Sequence, residues 1–597
     1  MILFPKKNNF WEKLMNKNTI LAIVLSTIVV AGAMVVQTIL FPPTKAAKPV
    51  NQEENVAIEE TTTVVNEEKS YFEAKNTSKD ATKEETITVE TNMAQIVLTN
   101  KGGDIVSYKL KGENLRDSDT GEGVQMVDNI SDFNRACAVA FGNENSKINN
   151  DFFNVEKIDD KTYLFSKKYS VKNEDGTTSD FIFGKRYTFN DNEYMFKLDV
   201  LIHGEGIQNL TYSLRTAPQI GPHYDSKMNR YEYRQFISYN GNKSKKVRLS
   251  TKPAIKAYDK DSLWNGITSK YFTEVIIPAD KTCLDKAYYS TLVDSNNYAN
   301  AQLIVTRKAI NENDSKDTYY MFFGPRSEKI LKIYNVSENN GWNLSSQKLT
   351  ECMQSSGFLG WLEIILKWVM QLINKLVHNW GISIIIMTLI IKGLLFPLTR
   401  KQQLSTLKMQ EIQPKMQALQ KKYADNPQKQ QEEMAKIYKE AGYNPVSGCL
   451  PMILQFLIIF AMYNLFNNYF EFRGASFIPG WIPDLSAGDS VHTFNRAIPF
   501  FGNQLRLLPI IYLSSQILYG VITQNGGTAA SAQTKMQMNM MMYGMPVIFF
   551  FVFYNAPSGL LIYWTISNLF TIVQQLIINN TMKKKRAEIA SKSKGAK

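Results

Sequence analysis

Ile382-Ser383-Ile384-Ile385-Ile386-Met387-Thr388-Leu389-Ile390-Ile391-Lys392-Gly393-Leu394-Leu395-Phe396-Pro397-Leu398 is an apolar run of membrane-spanning character that contains one lysine. A charge within a span costs roughly 2.5–3.5 kcal/mol on insertion scales, so Lys392 needs a reason. Two reasons fit. Its stem can reach the headgroups from near the cytoplasmic end of the run. Alternatively, the charge faces a watery cavity between helices. Thr388 lies one turn earlier on the same face and favours the cavity.

Upstream, Phe358 to Trp380 reads as an amphipathic helix. Glu363, Lys367, Gln371, Lys375 and His378 form one polar stripe, and Trp361, Ile364, Ile365, Trp368, Leu372, Leu376 and Trp380 cover the remaining arc. So wide an apolar arc predicts an interfacial helix over 357–380, with its tryptophans at headgroup depth.

Downstream, 399–443 is a charged segment. Apolar residues recur at helical spacing at Met409, Ile412, Met416, Leu419 and Tyr423, then at Met434, Ile437 and Tyr438. Asp425-Asn426-Pro427 separates the two sets, which predicts an antiparallel helical hairpin with a kink at Pro414. Its basic surface includes Arg400, Lys408, Lys415, Lys421 and Lys422, which fits the cytoplasmic side. A solvated coiled-coil spacer and a docking arm for chains or ribosomes both fit this composition.

From 444 to 580 four further spans are expected: Pro451 to Phe466 with Gln455, Leu507 to Ile522, Met541 to Tyr554, and Leu560 to Ile578. The last carries Tyr563, Trp564, Ser567, Asn568, Gln574 and Gln575. So many polar groups in one span should face protein or water. The basic tail at 581–597 is assigned to the cytoplasm.

At the other end, Ile20 to Phe41 is an uncharged apolar run preceded by Lys6, Lys7, Lys13 and Lys17. It reads as an uncleaved anchor at 20–41, with residues 1–19 in the cytoplasm. Residues 42–85 are too polar to bury a core and read as a tether. Residues 86–345 show short alternating runs between turn signals, among them Ile87 and Val89, Ile96 and Leu98, Tyr163 to Val171, and Phe181 to Phe189. That pattern indicates an all-β sandwich outside the cytoplasm. The expected whole is a multi-pass α-helical membrane protein with six spans, both ends inside, and a large extracytoplasmic all-β domain.

The chain has 597 residues and a formal net charge of +13, and its densest basic clusters adjoin apolar runs. A membrane surface therefore accounts for the charge, and no nucleic acid is expected as a specific ligand. The four cysteines have no C-x-x-C spacing and the four histidines are far apart, so no catalytic site, metal or cofactor is expected.

The sequence Ser383 to Gly393 followed by Phe396-Pro397-Leu398-Thr399 resembles the signature of the YidC family of membrane protein insertases. So do Gln413-Pro414-Lys415, Asn444-Pro445 with Gly448-Cys449 and Pro451, Met545-Pro546-Val547-Ile548-Phe549, and Pro557-Ser558-Gly559-Leu560 with Ser567-Asn568-Leu569. The resemblance is strongest from about 357 to 580. It implies a protein of the bacterial inner membrane that inserts and folds newly made membrane proteins, alone or beside the Sec translocon. Five core helices would form a hydrophilic groove, closed outside, whose positive charge attracts the polar or acidic tail of an incoming chain. The outer domain would be similar to the galactose-mutarotase type of β-supersandwich, without sugar chemistry. Matching positions make Thr388, Lys392, Gln455, Tyr563, Trp564, Ser567 and Asn568 the groove candidates. The family usually has arginine where this chain has Lys392, so the groove charge here depends more on hydration.

Two other classes share some of these features. A secondary transporter would also use polar residues within spans, but it usually shows inverted repeats, which are not evident here. An enzyme acting on saccharides would need an acid/base pair in the outer domain, and none is evident.

Overall fold

The computed structural model describes residues 72–75, 80–117, 120–173, 176–222, 232–248, 255–257, 262–291, 301–353, 357–424, 426–441, 445–498, 501–524, 536 and 539–594. The expected anchor at 20–41, most of the tether and most of the loop after residue 524 lie outside these residues.

Alternating apolar residues build a large all-β region. A 10-stranded sheet runs in the order Phe72–Ala74, Thr162–Lys172, Thr178–Phe189, Met195–Gly204, Asp314–Pro325, Phe272–Pro278, Trp264–Ser269, Arg234–Tyr239, Ser244–Arg248, with Asn154–Lys157 paired to the second of these. Its neighbours pair antiparallel, with Tyr169 opposite Phe181 and Val275 opposite Phe322. A 5-stranded sheet contains Ile255–Ala257, Leu284–Ser290, Gln302–Arg307, Tyr212–Arg215 and Val139–Phe141. A 3-stranded sheet spans Thr86–Glu90, Ala94–Thr99 and Asp104–Leu110. The sheets share one apolar core that includes Phe165, Phe183, Phe196, Trp264, Val275 and Leu303. The sheet reaches back into the stretch read as a tether, because Phe72 and Ala74 pair with Val171 and Tyr169.

Several charges buried in this domain are paired, as burial favours. Asp104 accepts from Lys185 at 2.5 Å and from Arg135 at 2.9 Å. Glu274 is different. It is fully buried, accepts from Thr216 Oγ1 at 2.7 Å and from Ala217 N at 3.2 Å, and burial pushes its carboxyl up to about 8.

A short helix, α1 (Glu328–Leu331), leaves the last long strand, and α2 (Gly360–Val377) follows. The first half of the polar stripe of α2 faces protein, whereas Lys375 and His378 are exposed. Glu363 accepts from Asn464 at 3.0 Å, Lys367 reaches Glu328 of α1 at 2.5 Å, and Gln371 donates to Tyr469 Oη at 2.9 Å. Trp361, Ile364, Ile365, Trp368, Leu372 and Leu376 are exposed on the other side. His378 ends the helix in the left-handed region, and Asn379 caps the next by accepting from Ile382 N at 3.0 Å.

That next helix, α3 (Trp380–Lys422), runs without a break through Pro397 and Pro414, joining the lysine-bearing run to the first arm of the basic hairpin. Each proline removes one backbone donor, yet the helix continues on either side and the kink expected at Pro414 does not divide it. The second arm is α4 (Pro427–Glu440), capped by Asn426. Then come α5 (Pro445–Asn468), α6 (Leu508–Gln524), a π-helical turn at Met540–Gly544, α7 (Met545–Phe553) and α8 (Ser558–Lys594). Among the described residues, Trp380–Gln402 and Ser558–Thr581 are long and apolar enough to cross a membrane, and Leu508–Ile522 and Met542–Phe553 are shorter apolar helices. Ile384, Met387, Ala461, Phe466, Leu560 and Leu561 form the centre of the helical core.

The two cores meet at the segment after α5. Phe470 belongs to the all-β core, edge-on to Tyr271 and Phe272. The Arg473 guanidinium lies 5.1 Å over the Phe272 ring and donates to Arg116 O at 2.7 Å.

Candidate functional site

The helical core places polar groups where apolar packing would otherwise be continuous. Lys392 on α3 is 6% exposed, and its Nζ donates to Thr571 Oγ1 on α8 at 3.1 Å. The Thr571 hydroxyl in turn donates to Ser567 O at 2.8 Å. Among the described residues no carboxylate pairs with the ammonium. A buried cation held by one neutral hydroxyl retains unused donor capacity, because an ammonium has three donors. An anion brought beside it would gain in a medium less polarisable than water.

On the same helix Asn568 donates to Ser515 Oγ on α6 at 3.2 Å, and Ser515 donates to Tyr512 O at 2.7 Å. Gln516 donates to Tyr512 Oη at 2.8 Å. Gln574 is buried, and neither its Nε2 nor the Thr565 hydroxyl has a partner among the described residues. A polar seam thus runs along α8 between α3 and α6. Helical spacing produces it: Ser567, Thr571 and Gln574 follow one another at intervals of four and three and share a face.

The expected groove residues divide. Lys392 and Ser567 meet through Thr571, and Asn568 joins α6. Thr388 is fully buried, but its hydroxyl donates to Ile384 O of its own helix at 2.7 Å. Tyr563 packs against Phe466 at 6.2 Å in the apolar core. Trp564 lies between Tyr512 and Phe553, at 5.5 and 4.7 Å. Gln455 is half-buried on α5. Sequence reasoning missed Thr571 and Ser515. The first was legible as the next turn after Ser567; the second depended on how α6 packs. In the hairpin Arg400, Lys415, Lys421 and Lys422 are exposed, and the side chain of Lys408 lies outside the described residues. Among the described residues no group of three or more metal-ligating side chains occurs.

One end of the bundle is tied by the long connection from α5 to α6. Gly559 N donates to Leu485 O at 3.0 Å, and Ser558 donates to Ala487 O through both N and Oγ at 2.7 Å. Within the connection, His492–Ile498 pairs with Gly502–Leu505 as a hairpin.

Residues 372–585 match the family described as 60Kd inner membrane protein, and residues 86–372 match the YidC periplasmic domain. The membrane protein insertase YidC of Treponema denticola is 43% identical over 96% of this chain and 100% of its own length. That of Treponema pallidum is 35% identical over the same 96% and 100%. A solved structure of an active YidC insertase, with its first transmembrane domain resolved, is 20% identical over 83% of this chain and 93% of its own, with a TM-score of 0.36.

Proposed function

The chain belongs to the YidC family of membrane protein insertases, and on that premise we propose that it passes the polar flank of an incoming segment along the seam between α3, α6 and α8, with Lys392 as its attracting charge. Insertase function and a periplasmic domain follow from the family; the seam, its charge and its sidedness are the additions.

An incoming segment brings apolar residues that lipid accepts and a polar flank that lipid rejects. Moving a charged flank through hydrocarbon costs several kcal/mol. A polar seam reaching part-way across the bilayer shortens that path, and the apolar segment leaves sideways into lipid, which supplies the driving force. The observation that carries this reading is the ammonium of Lys392, buried against Thr571 without an acidic partner among the described residues.

The same reading has six spans with both ends in the cytoplasm of an inner-membrane protein, residues 44 to 356 outside, and a basic hairpin inside. The lysines before Ile20, in the hairpin and after Met582 support it. Its partners are nascent membrane proteins, Sec translocon components, ribosomes at the hairpin, and lipids along the exposed arc of α2. Crosslinking stalled nascent membrane proteins to probes on α3, α5 and α8 tests it. Crosslinks should cluster beside Lys392 and Ser567; adducts confined to the lipid-exposed arc of α2 would refute the seam as the path.

A further inference from the structure

The carboxylate of Asp489 is fully buried in the connection between α5 and α6. Its Oδ2 accepts from Leu507 N at 2.7 Å, from Leu508 N at 2.9 Å and from Trp481 Nε1 at 2.9 Å. The first two are donors at the start of α6 that the helix itself leaves unpaired, and a negative charge there is further favoured by the helix dipole. The backbone carbonyl of Asp489 accepts from Arg506 Nη1 at 2.8 Å, and Arg506 Nε donates to Asn555 Oδ1 at 3.0 Å in the turn between α7 and α8. Tyr554 accepts from Arg506 N at 3.1 Å and donates to Gln504 O at 3.0 Å.

Two close approaches fix the same connection sterically. A Cβ on Gly488 would lie 2.2 Å from Arg506 Nη1. A Cβ on Gly381, in the first turn of α3, would lie 2.1 Å from the Phe477 ring. One connection is therefore bound to the outer ends of α3, α6, α7 and α8, and Asp489 is the residue at which its side-chain and backbone ties converge.

We propose that Asp489 is a positioning residue that latches this connection across four helix ends and so keeps the polar seam shut on the outer side. The inference rests on the seam being the client path. It adds the group that denies that path an outer mouth. Without the carboxylate, the start of α6 and the Trp481 indole lose their shared acceptor, and the connection is free to lift from the Asn555 turn. Asparagine is the conservative variant. Its oxygen can accept the same donors, and its nitrogen would occupy the place of Oδ1, which has no partner among the described residues.

The experiment uses the full chain in sealed vesicles of both orientations, with a single cysteine at Ser567 and the four native cysteines replaced. A membrane-impermeant maleimide reads the labelling rate from each side. In the parent the probe should label from the cytoplasmic face and hardly at all from the outer face. Asp489→Ala should raise outer labelling at least about tenfold, the change that loss of one charge-assisted hydrogen bond implies. Cytoplasmic labelling should stay unchanged, and Asp489→Asn should stay near the parent. If Asp489→Ala does not accumulate, Trp481→Phe removes one donor, leaves the carboxylate, and should raise outer labelling about threefold, as loss of a single weaker hydrogen bond implies. Unchanged outer labelling in whichever variant accumulates overturns the latch alone. A parent probe that labels from neither face overturns the seam reading, and the latch with it.

Discussion

Lys367 of α2 reaches the Glu328 carboxylate of α1 at 2.5 Å, so the amphipathic helix is ionically tied to the all-β domain. The same ammonium lies 5.0 Å above the Tyr469 ring, at the end of α5. Lys332 also pairs with Glu328, and these two lysines hold its carboxyl down at about 2. Three neighbouring contacts at this joint, from Lys367, Phe470 and Arg473, make the domain a docked body rather than a bead on a string.

Phe470→Ala tests the docking. Removing a buried ring from a shared core should destabilise the protein by about 3 kcal/mol. The loss should show as increased protease cleavage between the domain and the helical core, with the sheets themselves still resistant. Cleavage unchanged from the parent would mean that the joint is held elsewhere.

Glu274 sets a pH dependence in the all-β domain. Its folded value is raised to about 8 by burial, above the ordinary unfolded value near 4.3. The folded state then binds more protons than the unfolded state between these values. This contribution to stability is therefore fully present below about 4.3, declines as pH rises, and is gone above about 8. Glu274→Gln keeps a neutral group beside Thr216 and Ala217, so its thermal stability should fall less steeply between pH 5 and 8 than that of the parent. Identical slopes would remove Glu274 as the cause.

The basic hairpin should be dispensable for folding and needed for client handling. Deleting residues 405 to 440 removes α4 and the C-terminal part of α3, where Lys415, Lys421 and Lys422 face solvent. The truncated protein should accumulate in membranes and insert clients poorly in reconstituted vesicles. Full insertion activity would refute the docking role, and degradation of the protein would make the hairpin structural.

Much of this architecture was legible in the sequence because its patterns are strong. Alternation at Tyr163 to Val171 and Phe181 to Phe189 gave the central strands, and the arc from Trp361 to Leu376 gave the amphipathic helix. What stayed hidden depends on distant partners. The partners of Glu363, Lys367 and Gln371 on α2 are Asn464, Glu328 and Tyr469 of other elements, which spacing within the helix does not reveal. Thr388 shares a helix face with Lys392, yet its hydroxyl is spent on Ile384 O, a local alternative that spacing does not reveal. Tyr563 and Trp564 looked polar by type, but aromatic packing against Phe466, Tyr512 and Phe553 decides their surroundings. Asp489 lies among loop residues with no periodicity at all, so only the fold shows what it holds.

The central claim is that Lys392 acts on the charge of the incoming tail. A carboxylate about 4 Å from the ammonium is attracted by about 4 kcal/mol at an effective dielectric near 20, before desolvation losses. The measurement is insertion of matched clients, differing only in tail charge, into liposomes containing each variant. Lys392→Arg should retain activity, Lys392→Ala should slow acidic-tailed clients more than neutral-tailed ones, and Lys392→Glu should be worst for acidic tails. Thr571→Val should have a smaller effect, because it removes one neutral hydrogen-bonding group of about 1 kcal/mol. If Lys392→Ala slows all clients equally, or none, the ammonium does not read the tail and the account is contradicted.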